Sequence, residues 1–400
     1  MTIGFSSRAV VSACALCAAG VLALGPTAAV TAVASAGPDP GAHDRHRVAA
    51  PLPSMLYRSG TQVRPHRSAP EIPDVSALSW LVADAHSGAV LAASDAHRKL
   101  PPASTLKTLF ALTVLPVLPA GVRHRVTEEE LADIGPGSSL VGVAEGQTYR
   151  VSDLWRGVFL NSGNDAVHVL AALSGGWRTT AAGMQAKARA LGALDTQVVS
   201  PDGYDTPGQV SSAYDLAVFG RAGLRNADFA RYCGLAESRF PGSRGGSYGI
   251  ENTNRLLTGE NGVEPYPGLI GVKNGYTSNA GNTLVAAARR GGRTLVVTVM
   301  NPQEGGGFAV YEEARELLDW GFEADGRVDP VGSLDGLRVR PRPGPGPGSG
   351  PDAVRMAAPA PAVEEGPGWS QAAAIAGAAL LGGAVVALAL RLIFRSPTGS

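Results

Sequence analysis

Ser104 and Lys107 stand three residues apart in the stretch Pro101-Pro102-Ala103-Ser104-Thr105-Leu106-Lys107-Thr108-Leu109-Phe110. On a helix this spacing puts them on one face. Side chains there lean toward the N-terminus, so the amine can reach the hydroxyl. A serine beside an amine that has lost its proton is an activated nucleophile, and burial is what draws a lysine pKa down. The unpaired N–H groups at a helix entrance suit a developing oxyanion. Lysine usage draws attention to this amine. Lys99, Lys107, Lys187 and Lys273 are the only lysines among 34 basic residues, which leaves 30 arginines (34 − 4). A guanidinium keeps its proton, whereas an ε-amine can give it up. Two further short groups follow in order. Ser162-Gly163-Asn164 adds a second hydroxyl and an amide, and Lys273-Asn274-Gly275 adds another of the rare lysines. Taken singly, the first is an ordinary turn between helices and the second a strand running into a turn.

The elements that must position these groups can be read from periodicity. Leu106, Leu109, Phe110, Leu112 and Leu115 form a helical stripe that Pro101 and Pro102 open and Pro116 stops. Before it, Leu78–Ala83 and Ala89–Ala93 read as paired strands around His86-Ser87-Gly88. Between the first and third groups the pattern is helical. Ser152-Asp153 is expected to cap a helix to about Leu160, Asp165 to open one to about Leu173, Thr180–Leu191 to be helical, and Ser211-Ser212 to cap one to about Ala222. Asn252-Thr253-Asn254 reads as a capping turn outside the site. Leu269–Lys273 then reads as a strand, and Thr283–Arg290 and Arg293–Met300 as a hairpin around Gly291-Gly292. Tyr311–Trp320 is a closing amphipathic helix. Strands at both ends with helices between predict an α+β fold, one antiparallel sheet drawn from both ends of the domain with a helical subdomain packed on it.

Both ends of the chain are hydrophobic. Arg8, the apolar run Ala9–Leu24 and Ala34-Ser35-Ala36 give a signal peptide over 1–36. Residues 37–73 read as a flexible stalk, 74–325 as the catalytic domain and 326–370 as a Pro/Gly-rich linker that includes the run Arg340–Gly350. The uncharged segment Ala372–Leu390 is long enough to cross a bilayer core of ~30 Å, so 371–393 is expected to be a transmembrane anchor. Arg391 and Arg395 beyond it place the tail 394–400 in the cytoplasm and the body outside the cell. Cys14 and Cys17 would leave with the signal, so Cys233 stays alone as a buried thiol. A formal net charge of zero gives no footprint for nucleic acid. No His-x-x-x-His pair is present, so no metal or other cofactor is expected, and His168 reads as packing on an apolar helix face.

The ordered set Ser104-Thr105-Leu106-Lys107, Ser162-Gly163-Asn164 and Lys273-Asn274-Gly275 resembles the S-x-x-K, S-x-N and K-T-G motifs of the penicillin-recognising serine enzymes, above all the low-molecular-mass D-alanyl-D-alanine carboxypeptidases. Ser211–Leu216, Gly271–Thr277 and Leu317–Phe322 extend the resemblance. It implies a β-lactamase/transpeptidase-like fold and removal of the terminal D-alanine from peptidoglycan stem peptides, with β-lactam antibiotics as covalent inhibitors. Within it Ser104 would be the nucleophile, Lys107 the general base and Ser162 a proton relay with Lys273 close by. Asn164 would position Lys107 and the substrate amide. Lys273, Asn274, Gly275, Tyr276 and Thr277 would bind substrate, with the Tyr276 N–H in the oxyanion hole. The third motif departs from the pattern at Asn274, where a hydroxyl normally helps hold the substrate carboxylate, so weaker carboxylate recognition is expected there. The same site could serve a D,D-endopeptidase. A class A β-lactamase is disfavoured because no Glu-x-x-Leu-Asn loop lies between the second and third motifs. A catalytically silent wall-binding module would not need every nucleophile and base in place.

Overall fold

The structure, a computed structural model, describes residues 55–242 and 245–336. The segments read as signal peptide, membrane anchor and cytoplasmic tail lie outside the described residues, as do 37–54 of the stalk and 337–370 of the linker. Among the described residues no helix is long and apolar enough to cross a membrane.

The chain begins with β1 (Thr61–Pro65), β2 (Ser79–Asp84) and β3 (Ala89–Ser94). The helical part follows with α1 (Lys107–Val114), the ribbon β4 (Arg123–Arg125) and β5 (Thr148–Arg150), α2 (Val151–Leu160), α3 (Asn164–Leu173), α4 (Trp177–Ala190), α5 (Ala213–Leu224) and α6 (Ala227–Cys233). A second ribbon, β6 (Glu237–Pro241) and β7 (Ser247–Glu251), and the short α7 (Arg255–Thr258) lead to β8 (Leu269–Thr277), β9 (Gly281–Arg290) and β10 (Arg293–Met300). The closing helix α8 (Ala309–Glu323) is followed by β11 (Val328–Asp329) and β12 (Gly332–Ser333).

The main sheet has eight strands in the order β11-β1-β3-β2-β10-β9-β8, with β12 also on β3, and every pairing is antiparallel. The α+β expectation therefore holds, with strands drawn from both ends of the domain. Side chains alternate across the central strands. Trp80 and Val82 face one cluster with Val310, Ala314, Leu317 and Leu318 of α8. Leu81 and Ala83 face the other, larger cluster with Phe110, Trp155, Leu216 and Phe219 of the helical part. Burial on both faces explains why these strands read as continuous apolar runs. Gly291 (φ +57°) and Gly292 (φ +82°) are both left-handed, as a two-residue hairpin turn between β9 and β10 requires.

Two boundaries move. The stalk read over 37–73 contains β1, which pairs with β3 through Thr61↔Ser94 to Val63↔Ala92 and with β11 through Arg64↔Asp329. The linker read from 326 contains β11 and β12. Neither segment carries an apolar alternation. Backbone pairing to an existing sheet holds them, and two-residue pairings leave no periodicity to detect. At the start of α2 the cap also differs from expectation. Arg150 is the N-cap residue, and Asp153 acts from the third helical position, accepting from the Arg150 N–H at 3.1 Å. Ser212 caps α5 as expected, accepting from the Asp215 N–H at 3.2 Å.

Candidate active site

Ser104 lies in a tight turn that runs directly into α1, and Lys107 opens the helix. Lys107 Nζ is 2.8 Å from Ser104 Oγ and 2.6 Å from the carbonyl oxygen of Asp202. The amine is buried and has no carboxylate in contact. Burial draws its pKa down to about 8, although the charges of Asp202 and Asp165 act in the opposite sense. An amine of this kind, in contact with a hydroxyl, is placed to hold or take that hydroxyl's proton near neutral pH.

Two glycines press the chain against the nucleophile's turn. Gly203 (φ +81°) lies so close that a Cβ there would sit 2.1 Å from the Ala103 carbonyl oxygen. A Cβ on Gly275 would sit 2.6 Å from the Ser104 nitrogen, so β8 runs directly beside the nucleophile's own N–H. Ala103 (φ +49°) and Ser162 (φ +57°) both hold left-handed backbone that non-glycine residues rarely adopt. Two of the six non-glycine residues with left-handed backbone among the described residues thus lie beside the first motif and in the second.

The second motif sits between α2 and α3. Ser162 is buried, and its Oγ has no hydrogen-bond partner among the described residues. Asn164 donates to Ser138 Oγ at 3.0 Å, and its own oxygen is unpartnered. The expected contact between Asn164 and Lys107 is therefore not made. The loop carrying Ser138 is anchored by Asp165, whose carboxylate accepts from the N–H groups of Val141 (3.0 Å), Gly142 (2.8 Å), Val143 (2.8 Å) and Ala166 (2.9 Å).

The third motif lies within β8, not beyond its end. Lys273 is buried and donates to the Asn274 carbonyl at 2.7 Å. Burial, and then the charge of Lys107, hold its pKa well below the usual lysine value. Asn274 turns to other residues. Its amide nitrogen donates to the Thr253 carbonyl and to the Tyr311 hydroxyl, both at 3.2 Å, and its oxygen accepts from Thr253 Oγ1 at 3.0 Å. The Tyr276 side chain is 67% exposed at the cleft. β8 is an edge strand of the main sheet, which leaves one backbone edge open for an extended ligand.

A cleft of about 190 Å³ opens at Ser104, bordered by residues 136–139, 203–205 and 276–278. Tyr204 donates from its hydroxyl to the Pro136 carbonyl at 2.9 Å, and Asp205 accepts from the Asn279 N–H at 3.1 Å. The 202–205 loop thus joins the two walls. Sequence reading assigned no role to Asp202, Ser138, Tyr204 or Asp205, and placed Thr253 in a capping turn outside the site. Their contacts are made by backbone atoms or across long separations, and no local motif marks them. Among the described residues no group of acidic, histidine or cysteine side chains could hold a metal ion.

Fold and site together define a penicillin-recognising serine peptidase. The chain belongs to the D-alanyl-D-alanine carboxypeptidase family of peptidases, S11, whose pattern residues 66–304 match. It is 41% identical over 275 residues to the D-alanyl-D-alanine carboxypeptidase DacB2 of Mycobacterium tuberculosis, covering 68% of this chain and 90% of that one. A crystal structure of a D-alanyl-D-alanine carboxypeptidase from M. tuberculosis superposes with a TM-score of 0.62 at 39% identity, covering 68% of this chain and 100% of the other. Penicillin-binding protein 6B from Escherichia coli is similar at TM-score 0.56 and 32% identity, over 65% and 81% of the two chains.

Proposed function

We propose that this chain removes the terminal D-alanine from peptidoglycan stem peptides through an acyl-enzyme on Ser104. The observation that carries this reading is the 2.8 Å contact between Ser104 Oγ and the buried amine of Lys107. Neutral Lys107 takes the Ser104 proton as Oγ bonds to the carbonyl carbon between the two D-alanines. The C–N bond then breaks, and the proton passes to the departing amine. Ser162 Oγ, without a hydrogen-bond partner among the described residues, is the relay for that transfer, with Lys273 behind it. The negative oxygen formed on the way is stabilised by the N–H groups of Ser104 and Tyr276, which the close approach of Gly275 brings together. Water then cleaves the ester. Asn164 faces the cleft with an unpartnered oxygen that suits the N–H of a substrate amide. Gly275 and Thr277 complete the wall of β8. Asn274 supports that wall from behind through Thr253 and Tyr311. A β-lactam enters the same site and leaves Ser104 as a slow ester.

The signal-like N-terminus and the apolar segment 371–393 support export and a single C-terminal anchor, with the catalytic domain on the outer face. The test uses a fluorescent penicillin and a peptide ending in D-alanyl-D-alanine, applied to the wild type and to Ser104→Ala. Labelling and D-alanine release in the wild type, both lost in the variant, are expected. A folded wild-type protein that shows neither would sink the reading.

A further inference from the structure

The cleft beside Ser104 is lined by serine and threonine hydroxyls, an amide, glycines and two tyrosines, and its single charged side chain is Asp205. One carboxylate oxygen of Asp205 accepts from the Asn279 N–H at 3.1 Å. The other carries no hydrogen bond among the described residues, and Asp205 makes no ion pair there. The carboxylate is half-buried at the meeting point of the loop that follows Asp202 and the turn that follows β8. Lys273 lies on β8 four residues before the cleft-lining Thr277, which is about 13 Å at a rise of ~3.3 Å per residue. The strand beside Ser104 therefore runs from the buried amine of Lys273 toward the cleft wall that carries the Asp205 carboxylate. A peptide laid along it, with its terminal carboxylate toward Lys273, has the residue before the two D-alanines about 7 Å upstream. A flexible amine stem on that residue covers the remaining distance to Asp205.

We infer that Asp205 is a specificity-determining residue that binds the protonated side-chain amine of the residue immediately preceding D-alanyl-D-alanine, so that the preferred substrate is a strand in which this amine is free and charged. This rests on the carboxypeptidase reading of the site. A charge-assisted hydrogen bond in a half-buried cleft corresponds to roughly a 3- to 10-fold preference. The test compares two peptides, L-Ala-D-Glu-L-Lys-D-Ala-D-Ala with its lysine amine free and the same peptide with that amine acetylated. D-alanine release is measured at pH 7.5, where a free lysine amine is charged. The wild-type ratio of kcat/KM is expected to favour the free amine by roughly 3- to 10-fold, and to shrink in 1 M salt. In Asp205→Asn, which keeps an oxygen for the Asn279 N–H, the ratio should fall toward one. In Asp205→Lys the preference should pass to a peptide whose lysine amine is succinylated. A wild-type ratio near one would overturn the inference and leave the carboxypeptidase intact. So would a preference that persists in Asp205→Asn. If a variant fails to fold, the wild-type ratio and its salt dependence still decide. Release from neither peptide by the wild type would remove the carboxypeptidase reading, and this inference with it.

Discussion

Lys107 meets two oxygens, the Ser104 hydroxyl and the Asp202 carbonyl that fixes its position. Burial sets its pKa at about 8, so the neutral, basic form grows as pH rises toward and past that value. The rate of penicillin acylation should therefore rise about tenfold per unit below pH ~8 and level off above it. A flat profile between pH 6 and 8 would remove Lys107 as the base. Gly275 is a second sensitive point. The Cβ of Gly275→Ala would press on the Ser104 nitrogen, a backbone atom that cannot swing away. Displacing one oxyanion donor is expected to lower acylation by ~10²–10³, and because the added methyl also meets Thr283 and Ala103, to cost roughly 1–3 kcal/mol of stability. Penicillin labelling at the wild-type rate would show that β8 can retreat. Asn274 carries a smaller expectation than its sequence position implied. Its amide is already bonded to Thr253 and Tyr311, so it acts on substrate through the position of β8.

The second motif depends on a loop that no helix or strand contains. The N–H groups of Val141, Gly142 and Val143, with that of Ala166 on α3, converge on the buried carboxylate of Asp165; the first three hold the 138–143 segment, whose Ser138 in turn meets Asn164. Asp165→Asn puts an NH₂ against backbone donors. It should cost about 2–3 kcal/mol in urea unfolding and slow acylation together. The start of α5 shows the opposite balance. Asp215 is buried, Thr196 bonds one of its oxygens at 2.6 Å, and the other has no partner among the described residues. Burial raises its pKa to about 7. A carboxyl whose folded pKa exceeds its unfolded value destabilises increasingly as pH rises from about 4 to 7, because the unfolded chain ionises first. Asp215→Asn should therefore raise stability more at pH 8 than at pH 5, by an amount on the order of 1–3 kcal/mol, read as a larger gain in Tm at pH 8. Equal effects at both pH values would show that Asp215 is ionised in the folded protein at pH 5.

The catalytic domain begins earlier and ends later than composition indicates. β1 lies between β3 and β11, and Tyr57 stacks on His97 with ring centroids 4.1 Å apart. A chain that starts at residue 70 would leave β3 and β11 without their neighbour and remove that stack. It should unfold at a lower temperature, by several degrees, than one that starts at residue 55, and be more prone to associate through the bared edge. Equal melting temperatures would show that β1 is an ornament on a domain already complete without it. Cys233 belongs to the interior in the same sense. Burial pushes its thiol up to about 12, so it should resist alkylation until the domain unfolds.

Local chemistry was enough to single out Ser104, Lys107 and the two later motifs as the candidate site. Ser104 and Lys107 are three residues apart on one helical face, and the apolar strands and helices around them follow periods of two and 3.6 that a buried face imposes. The expected sheet and helices were found in chain order for the same reason. Contacts between distant parts of the chain had no such signal. The carbonyl facing Lys107 is 95 residues away, the clamp on Asn274 comes from α8 and the turn before α7, and the carboxylate in the cleft arrives on a loop that matches no catalytic motif. Backbone atoms carry no side-chain identity, and a hydrogen bond across the fold leaves no period in either partner. Ser104 and Lys107 could therefore be read from the sequence, while the environment that draws Lys107 to about 8 and brings Asp205 into the cleft beside Ser104 was decided only by the tertiary packing.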